Sequence, residues 1–217
     1  MIRVLVADDE ALMRVGIRLI LENDEDIEVV AEAGDGREAV EACRAHDIDV
    51  ALVDIQMPVR DGIAAAEDIA RLSPRTCVVM LTAFGAEASV TRALRAGASG
   101  FLLKDTGPTE LIRAVRLAAQ GEPVLAPRVT RQLLDGHVRS GRDTEAALRR
   151  TAELTPTERD VLRLLGTGLS NAEIAGELHM SAGTVKAHIS KILTRTGCAN
   201  RVQAAVLAHN TGLLTES

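Results

Sequence analysis

The chain has no tryptophan and no tyrosine, only two phenylalanines among its 217 residues, and only three cysteines. Each scarcity excludes something. Without aromatic platforms, base stacking is not available as a route to single-stranded nucleic acid. Cys43, Cys77 and Cys198 are an odd, scattered set with no metal-ligand spacing, so they read as free thiols in a reducing compartment. No apolar run approaches the roughly 20 residues that span a bilayer. The N-terminus enters a strand pattern at once (Ile2, Val4, Leu5, Val6), so no signal peptide is expected. Together these point to a cytoplasmic protein with no membrane association. Hydrophobic residues still make up 47% of the chain, ample for packed cores, and the length suits one large or two modest domains.

What is present is an alternation. Strand-like apolar runs at about 2–7, 27–33, 49–53, 76–82 and 99–103 are interleaved with helical patterns at about 11–22, 37–46, 63–72, 86–96 and 109–120. Five such β/α repeats predict an α/β fold: a flavodoxin-like, doubly wound, five-stranded parallel sheet. Gly121-Glu122-Pro123 stops the fifth helix. Residues 122–150 read as a linker, with one short helix expected at about 127–136. From 151 the pattern is all-helical, in four helices at about 156–166, 171–178, 182–195 and 200–209. Thr155 to Glu158 and Ser170 to Glu173 have capping-box spacing, and Ser181 is a further N-cap. Only His179-Met180-Ser181 separates the second and third helices, the geometry of a helix-turn-helix. The expected organisation is therefore 1–121, a linker at 122–150, and a helix-turn-helix domain at 151–217.

Polar chemistry gathers where the apolar runs end. Asp8 and Asp9 close the first, Asp54 the third, Thr82 the fourth and Lys104 the fifth. In a doubly wound sheet the carboxyl ends of the strands are where ligands bind. Three carboxylates, a hydroxyl and an ammonium would converge there, a set suited to a hard dication and phosphoryl chemistry. Singly each has an ordinary reading: Asp8 or Asp9 as a helix cap, Thr82 as a strand-end hydroxyl, Phe101 as core.

Two competitors are set aside. Gly34-Asp35-Gly36-Arg37-Glu38-Ala39 fits a dinucleotide turn, but it follows an edge strand, and the turn after the first strand carries two acids that would repel pyrophosphate. A phosphatase with an aspartyl nucleophile would show a D-x-D motif, and Asp54-Ile55-Gln56 lacks the second acid.

Charge is uneven. Residues 1–121 carry net −8, 122–150 net +2, and 151–217 net zero. Yet 181–201 contains Lys186, Lys191, Arg195 and Arg201 and no acid, which is either a solvated face or a stripe for DNA.

Asp8-Asp9, Asp54, Met57-Pro58, Gly62, Thr82 and Lys104 resemble the receiver domain of two-component response regulators. Leu154 to Arg159, Asn171 to Ala175 and Thr184-Val185-Lys186 with His188 resemble the LuxR-type helix-turn-helix. In this order the two halves resemble a response regulator of the NarL/FixJ type over essentially the whole chain. The resemblance implies that Asp54 accepts a phosphoryl group from a sensor histidine kinase. It implies Mg²⁺ or Mn²⁺ held by Asp8, Asp9, Asp54 and the Gln56 backbone carbonyl. Lys104 and Thr82 would meet the phosphoryl oxygens, and Phe101 would be an aromatic switch that turns inward when Thr82 moves. Lys104 is followed by Asp105 where many receivers have proline.

Residues 182–195 would then be the recognition helix, with Val185, Ile189, Ile192 and Leu193 inward and Lys186 and Ser190 outward. Lys186 is the candidate base or phosphate contact in double-stranded DNA, and Thr184, His188 and Lys191 are phosphate candidates. Arg201 reads as a phosphate contact or a cap. Val202, Ala205, Val206 and His209 form a small-residue face for self-association or for core. The expected function is a transcription regulator, not a metabolic enzyme, whose phosphorylation at Asp54 promotes homodimerisation and promoter binding. Two alternatives stand beside it: a phosphorylation-independent DNA-binding regulator whose receiver mediates only protein contacts, and an enzyme of phosphoryl metabolism.

Overall fold

The computed structural model describes residues 1–82, 92–125 and 144–213. The chain divides into two compact units, Met1–Leu133 and Leu134–Ser217.

In the first unit the strands are β1 (Ile2–Ala7), β2 (Ile27–Ala33), β3 (Val50–Asp54), β4 (Cys77–Thr82), β5 (Gly100–Leu103) and β6 (Val124–Leu125). All pairings are parallel, in the order β2-β1-β3-β4-β5-β6. Helices α1 (Ala11–Leu21), α2 (Gly36–Ala45), α3 (Gly62–Leu72) and α4 (Pro108–Ala119) connect them. Every residue of β3 is buried, which is why it reads as a continuous apolar run with no alternation. Ile17 and Leu21 of α1 pack with Leu111 and Val115 of α4 on Val4, Val6, Leu52 and Leu81. The five expected strands are all present. The two-residue β6 extends the sheet by pairing with Gly100 and Phe101, inside a stretch read as linker. A strand that short has no periodicity to detect. Of the helix expected at 86–96, residues 92–95 are helical and the earlier part lies outside the described residues, as does the short helix expected at 127–136.

Register gathers the strand ends. Ala7 pairs with Val53, so the next residues, Asp8 and Asp54, sit side by side. Thr82 pairs with Leu103, so Lys104 follows one step beyond. The order reverses between β1 and β3, the switch point where doubly wound sheets hold ligands. The loop after β3 folds back tightly. Gly62 N–H donates to Ile55 O at 3.0 Å, and a Cβ at Gly62 would lie 1.8 Å from Asp54 O. Arg60 N–H donates to Pro58 O at 2.6 Å, closing a γ-turn around Val59 at φ 63°. A β-branched residue in that region is strained, at a cost of about 1–3 kcal/mol.

The second unit has α5 (Thr144–Thr151), α6 (Pro156–Gly166), α7 (Asn171–Glu177), α8 (Ala182–Thr196) and α9 (Arg201–Asn210). Both expected capping boxes form, Thr155 with Glu158 and Ser170 with Glu173, and Ser181 accepts from Thr184 N–H. Gly197, at φ 64°, ends α8 in the left-handed conformation that only glycine adopts without penalty. Val161, Leu162, Leu165, Ile174, Val185, Ile192 and Leu207 form the core. Helix α5 joins it through Ala147, which is 3% exposed, so this core holds five helices where four were expected.

Replacing Gly62 with alanine should lower the stability of the first unit by about 3 kcal/mol, since the collision is with backbone. Urea unfolding followed by circular dichroism checks this, and an unchanged midpoint would contradict it.

Candidate functional site

The strand ends build an acidic pocket around one cation. Lys104 Nζ lies 2.9 Å from Asp8 Oδ2, 3.0 Å from Asp54 Oδ2 and 3.8 Å from Glu10 Oε1. Asp8 is wholly buried and Asp54 is 5% exposed, whereas Asp9 and Glu10 face solvent. Thr82 is buried at the end of β4, and its carbonyl accepts from Lys104 N–H at 3.0 Å. The peptide bond after Lys104 is trans. Asp9, Gln56, Met57, Pro58 and Arg92 line an open cleft of about 480 Å³ beside these groups.

Electrostatics follow from the burial. Desolvation pushes the Asp54 carboxyl above its ordinary 3.8, and the Asp8 charge adds to this. The Lys104 ammonium and the Gln56 N–H pull it back without cancelling the rise. Burial disfavours the Lys104 ammonium, yet its bonds to Asp8 and Asp54 prevail and lift its pKa above 10.5.

The pocket suits a hard dication. Carboxylate oxygens of Asp8, Asp9 and Glu10 lie within 4.8 Å of one another. Asp8 Oδ2 is buried, with the Lys104 ammonium 2.9 Å away. A cluster of carboxylate oxygens, one of them buried, is the donor set that Mg²⁺ or Mn²⁺ takes.

Two contributors were missed from sequence. Glu10 enters as a third carboxylate near Lys104. Arg14 holds the β1–α1 turn, donating from Nη1 to Asp8 O at 2.6 Å while its Nε lies 3.5 Å from Glu32. Arg14 stands on α1 one turn beyond the acids, and no spacing rule singles it out. Phe101 is 0% exposed, so its ring is already inside in this conformation.

In the second unit α8 presents its expected faces. Val185, Ile189 and Ile192 are buried and Leu193 is half-buried, while Thr184, Lys186, Ser190 and Lys191 are exposed. Thr184 Oγ1 is hydrogen-bonded to Ser181 Oγ at 2.8 Å. His188 is half-buried, with Nδ1 inside and without a hydrogen bond. Arg201 must be corrected: it is 7% exposed and is not a surface phosphate contact. Its Nη1 donates to Asn171 Oδ1 at 2.5 Å and its Nη2 to Leu169 O, tying α9 to the start of α7. Arg195, counted with the basic stripe, is engaged inward, with Nη1 2.7 Å from Glu158 Oε2. On α9, Val202 is buried in the core, Ala205 and Val206 are half-buried, and His209 is exposed.

The chain is similar to known proteins over both units. The family model of the response regulator receiver domain matches residues 4–116, and that of the LuxR family of bacterial regulatory proteins matches 152–208. The transcriptional regulatory protein YxjL of Bacillus subtilis is 40% identical over 98% of this chain and 97% of its own length. The nitrate/nitrite response regulator NarL of Escherichia coli is 35% identical over 95% of this chain and 94% of its own. Among solved structures, ChrA, a response regulator of a heme-sensing two-component system, is 36% identical, covers 98% of both chains and has a TM-score of 0.53. With one acid-lined receiver and one helix-turn-helix domain in that order, the chain belongs to the NarL-type two-component response regulators, which are transcription regulators. No helix among the described residues is long and apolar enough to cross a membrane.

Glu158, 3% exposed, joins α6 to α8 through Arg195. The Thr155 N–H bond holds its carboxyl below the ordinary 4.5 against the opposing effect of burial, helped by the Thr155 hydroxyl, Arg195 and His188. A depressed carboxylate pKa contributes stability that is present above 4.5 and lost as pH falls through the folded value. Glu158→Ala should therefore cost about 1–2 kcal/mol at neutral pH and flatten this acid-side decline. Urea midpoints of both proteins between neutral and acid pH check it, and parallel pH profiles would contradict it.

Proposed function

We propose that the protein is switched by phosphorylation of Asp54 by a partner sensor histidine kinase, and that phosphorylation promotes homodimerisation and promoter binding in the cytoplasm. The single observation that carries this reading is the Lys104 ammonium set 2.9 and 3.0 Å from the carboxylates of Asp8 and Asp54, one of them the nucleophile. In it, residues 1–121 together with β6 act as the receiver, and 151–217 together with α5 act as the DNA-binding domain.

An Asp54 carboxylate oxygen attacks the phosphorus of the kinase's phosphohistidine, and the P–N bond breaks as the acyl phosphate forms. Asp54 must be ionised to attack, and Lys104 and the Gln56 N–H favour that form against desolvation. The product adds about −1.5 to −2 charge beside Asp8. Asp8, Asp9, Asp54 and the Gln56 carbonyl would hold Mg²⁺ or Mn²⁺, which supplies the compensating positive charge on the phosphoryl side. Lys104 then turns from the carboxylate to the phosphoryl oxygens, and the Thr82 hydroxyl meets another, so phosphorylation shifts the receiver's conformational equilibrium. Hydrolysis of the acyl phosphate at the same site resets the switch; no metabolic substrate is involved.

Helix α8 reads double-stranded DNA through Lys186 and Ser190, flanked by Thr184 and Lys191. The second unit's sequence is neutral from 151 to 217, so one copy attracts DNA weakly and two copies related by a dyad are needed. Ala205, Val206 and His209 on α9 are the candidate self-association face.

Incubation with a small acyl-phosphate donor and Mg²⁺, followed by intact mass measurement, should show one added phosphoryl group on the wild type and none on Asp54→Asn. A phosphorylated Asp54→Asn protein would overturn the assignment. Lys186→Ala should cost about 1–3 kcal/mol in DNA binding with relaxed preference at one position if Lys186 reads a base. If it meets only phosphate, all sequences weaken alike and the salt slope falls by about one. Undiminished binding at every salt concentration would remove α8 as the reader in this register.

A further inference from the structure

Helix α5 lies outside both segments that the family models match, residues 4–116 and 152–208. It is nevertheless part of the DNA-binding unit. Ala147 is buried in that unit's core, and the Thr151 hydroxyl is satisfied within the helix, donating to Ala147 O at 3.1 Å. Its neighbour Arg150 reaches across to the end of the recognition helix. Arg150 Nε donates to Thr196 O at 2.7 Å, and Nη2 lies 3.3 Å from Cys198 Sγ.

Thr196 is the last residue of α8, and its carbonyl is one of the four that the helix cannot satisfy internally. A guanidinium there completes the C-terminal cap and opposes the negative end of the helix dipole. Gly197 N–H already bonds to Leu193 O, and Arg195 ties the same turn to Glu158 at 2.7 Å. The C-terminal end of α8 is thus held from two sides: by Glu158 of α6 and by Arg150 of α5. The exposed side chains of Lys186 and Ser190 keep their direction only if α8 does not rotate about its axis.

We propose that Arg150 is a positioning residue for DNA recognition, fixing the recognition helix from a helix that neither family segment includes. This rests on the reading of α8 as the DNA reader.

The test uses the full chain and a duplex that the wild type selects from a randomised pool. Arg150→Met keeps the length and removes the donors; Arg150→Lys keeps the cation. Arg150→Met should bind about tenfold more weakly with an unchanged salt slope, since Arg150 positions the reader and touches no phosphate. Arg150→Lys should recover most of the affinity. In the wild type the amides of Gly197 and Cys198 should exchange slowly, and faster in Arg150→Met. Full affinity in Arg150→Met, alongside reduced binding by Lys186→Ala, would overturn this proposal and leave α8 as the reader. A salt slope lower by about one would overturn it by making Arg150 a direct phosphate contact. A wild type that selects no duplex would overturn the reader assignment and this proposal with it.

Discussion

One ammonium shared by two buried carboxylates is the interaction on which the receiver depends. Asp8 and Asp54 are placed side by side by the pairing of β1 with β3, in a position where both ionised would repel. Lys104, brought in from the end of β5, makes the pair tolerable. Yet burial keeps Asp54 above its ordinary pKa, so the folded chain holds that proton more tightly than the unfolded chain does. Stability from this residue therefore falls as pH rises from 3.8 through the folded value. The site is held at a cost to the fold, and added positive charge relieves it.

The surrounding structure keeps the arrangement stiff. Gly62 allows the chain to return against Asp54 O, and Gly36 allows α2 to approach the same loop, since a Cβ there would meet Arg60 O at 2.5 Å. Between these two approaches Val59 sits in its strained turn, 82% exposed. Arg14 ties the acidic turn to Glu32 near the end of β2. In the second unit the same logic recurs with polar groups. Buried Glu158 and Arg201, and the exposed Arg150, each direct their hydrogen bonds to orienting a helix of the DNA-binding fold.

Much of this was legible in the sequence because the signals are long-range and redundant. Five apolar runs predict the sheet, four of them end in the polar residues of the pocket, and three capping signals delimit α6, α7 and α8. The losses have physical reasons. Arg195 and Arg201 count as cations in any charge tally, but only the fold shows that Glu158, Asn171 and Leu169 occupy them. The two-residue β6 and the eight-residue α5 are too short to carry a period, so both were read as linker. Arg14 and Glu10 act through geometry across a turn, which composition does not record. Phe101 reads equally as core or switch in sequence, and the structure shows the buried ring.

Asp54 is a desolvated carboxylate that shares the Lys104 ammonium with Asp8 in an acidic pocket. The most direct measurement is a carbon-13 NMR titration of the Asp54 carboxyl in the metal-free protein, in Lys104→Met, and after addition of Mg²⁺. The Asp54 pKa should lie above 3.8 in the wild type, rise further in Lys104→Met, and fall when Mg²⁺ is added. An Asp54 pKa at or below 3.8 without metal, or one indifferent to both Lys104 and Mg²⁺, would contradict it.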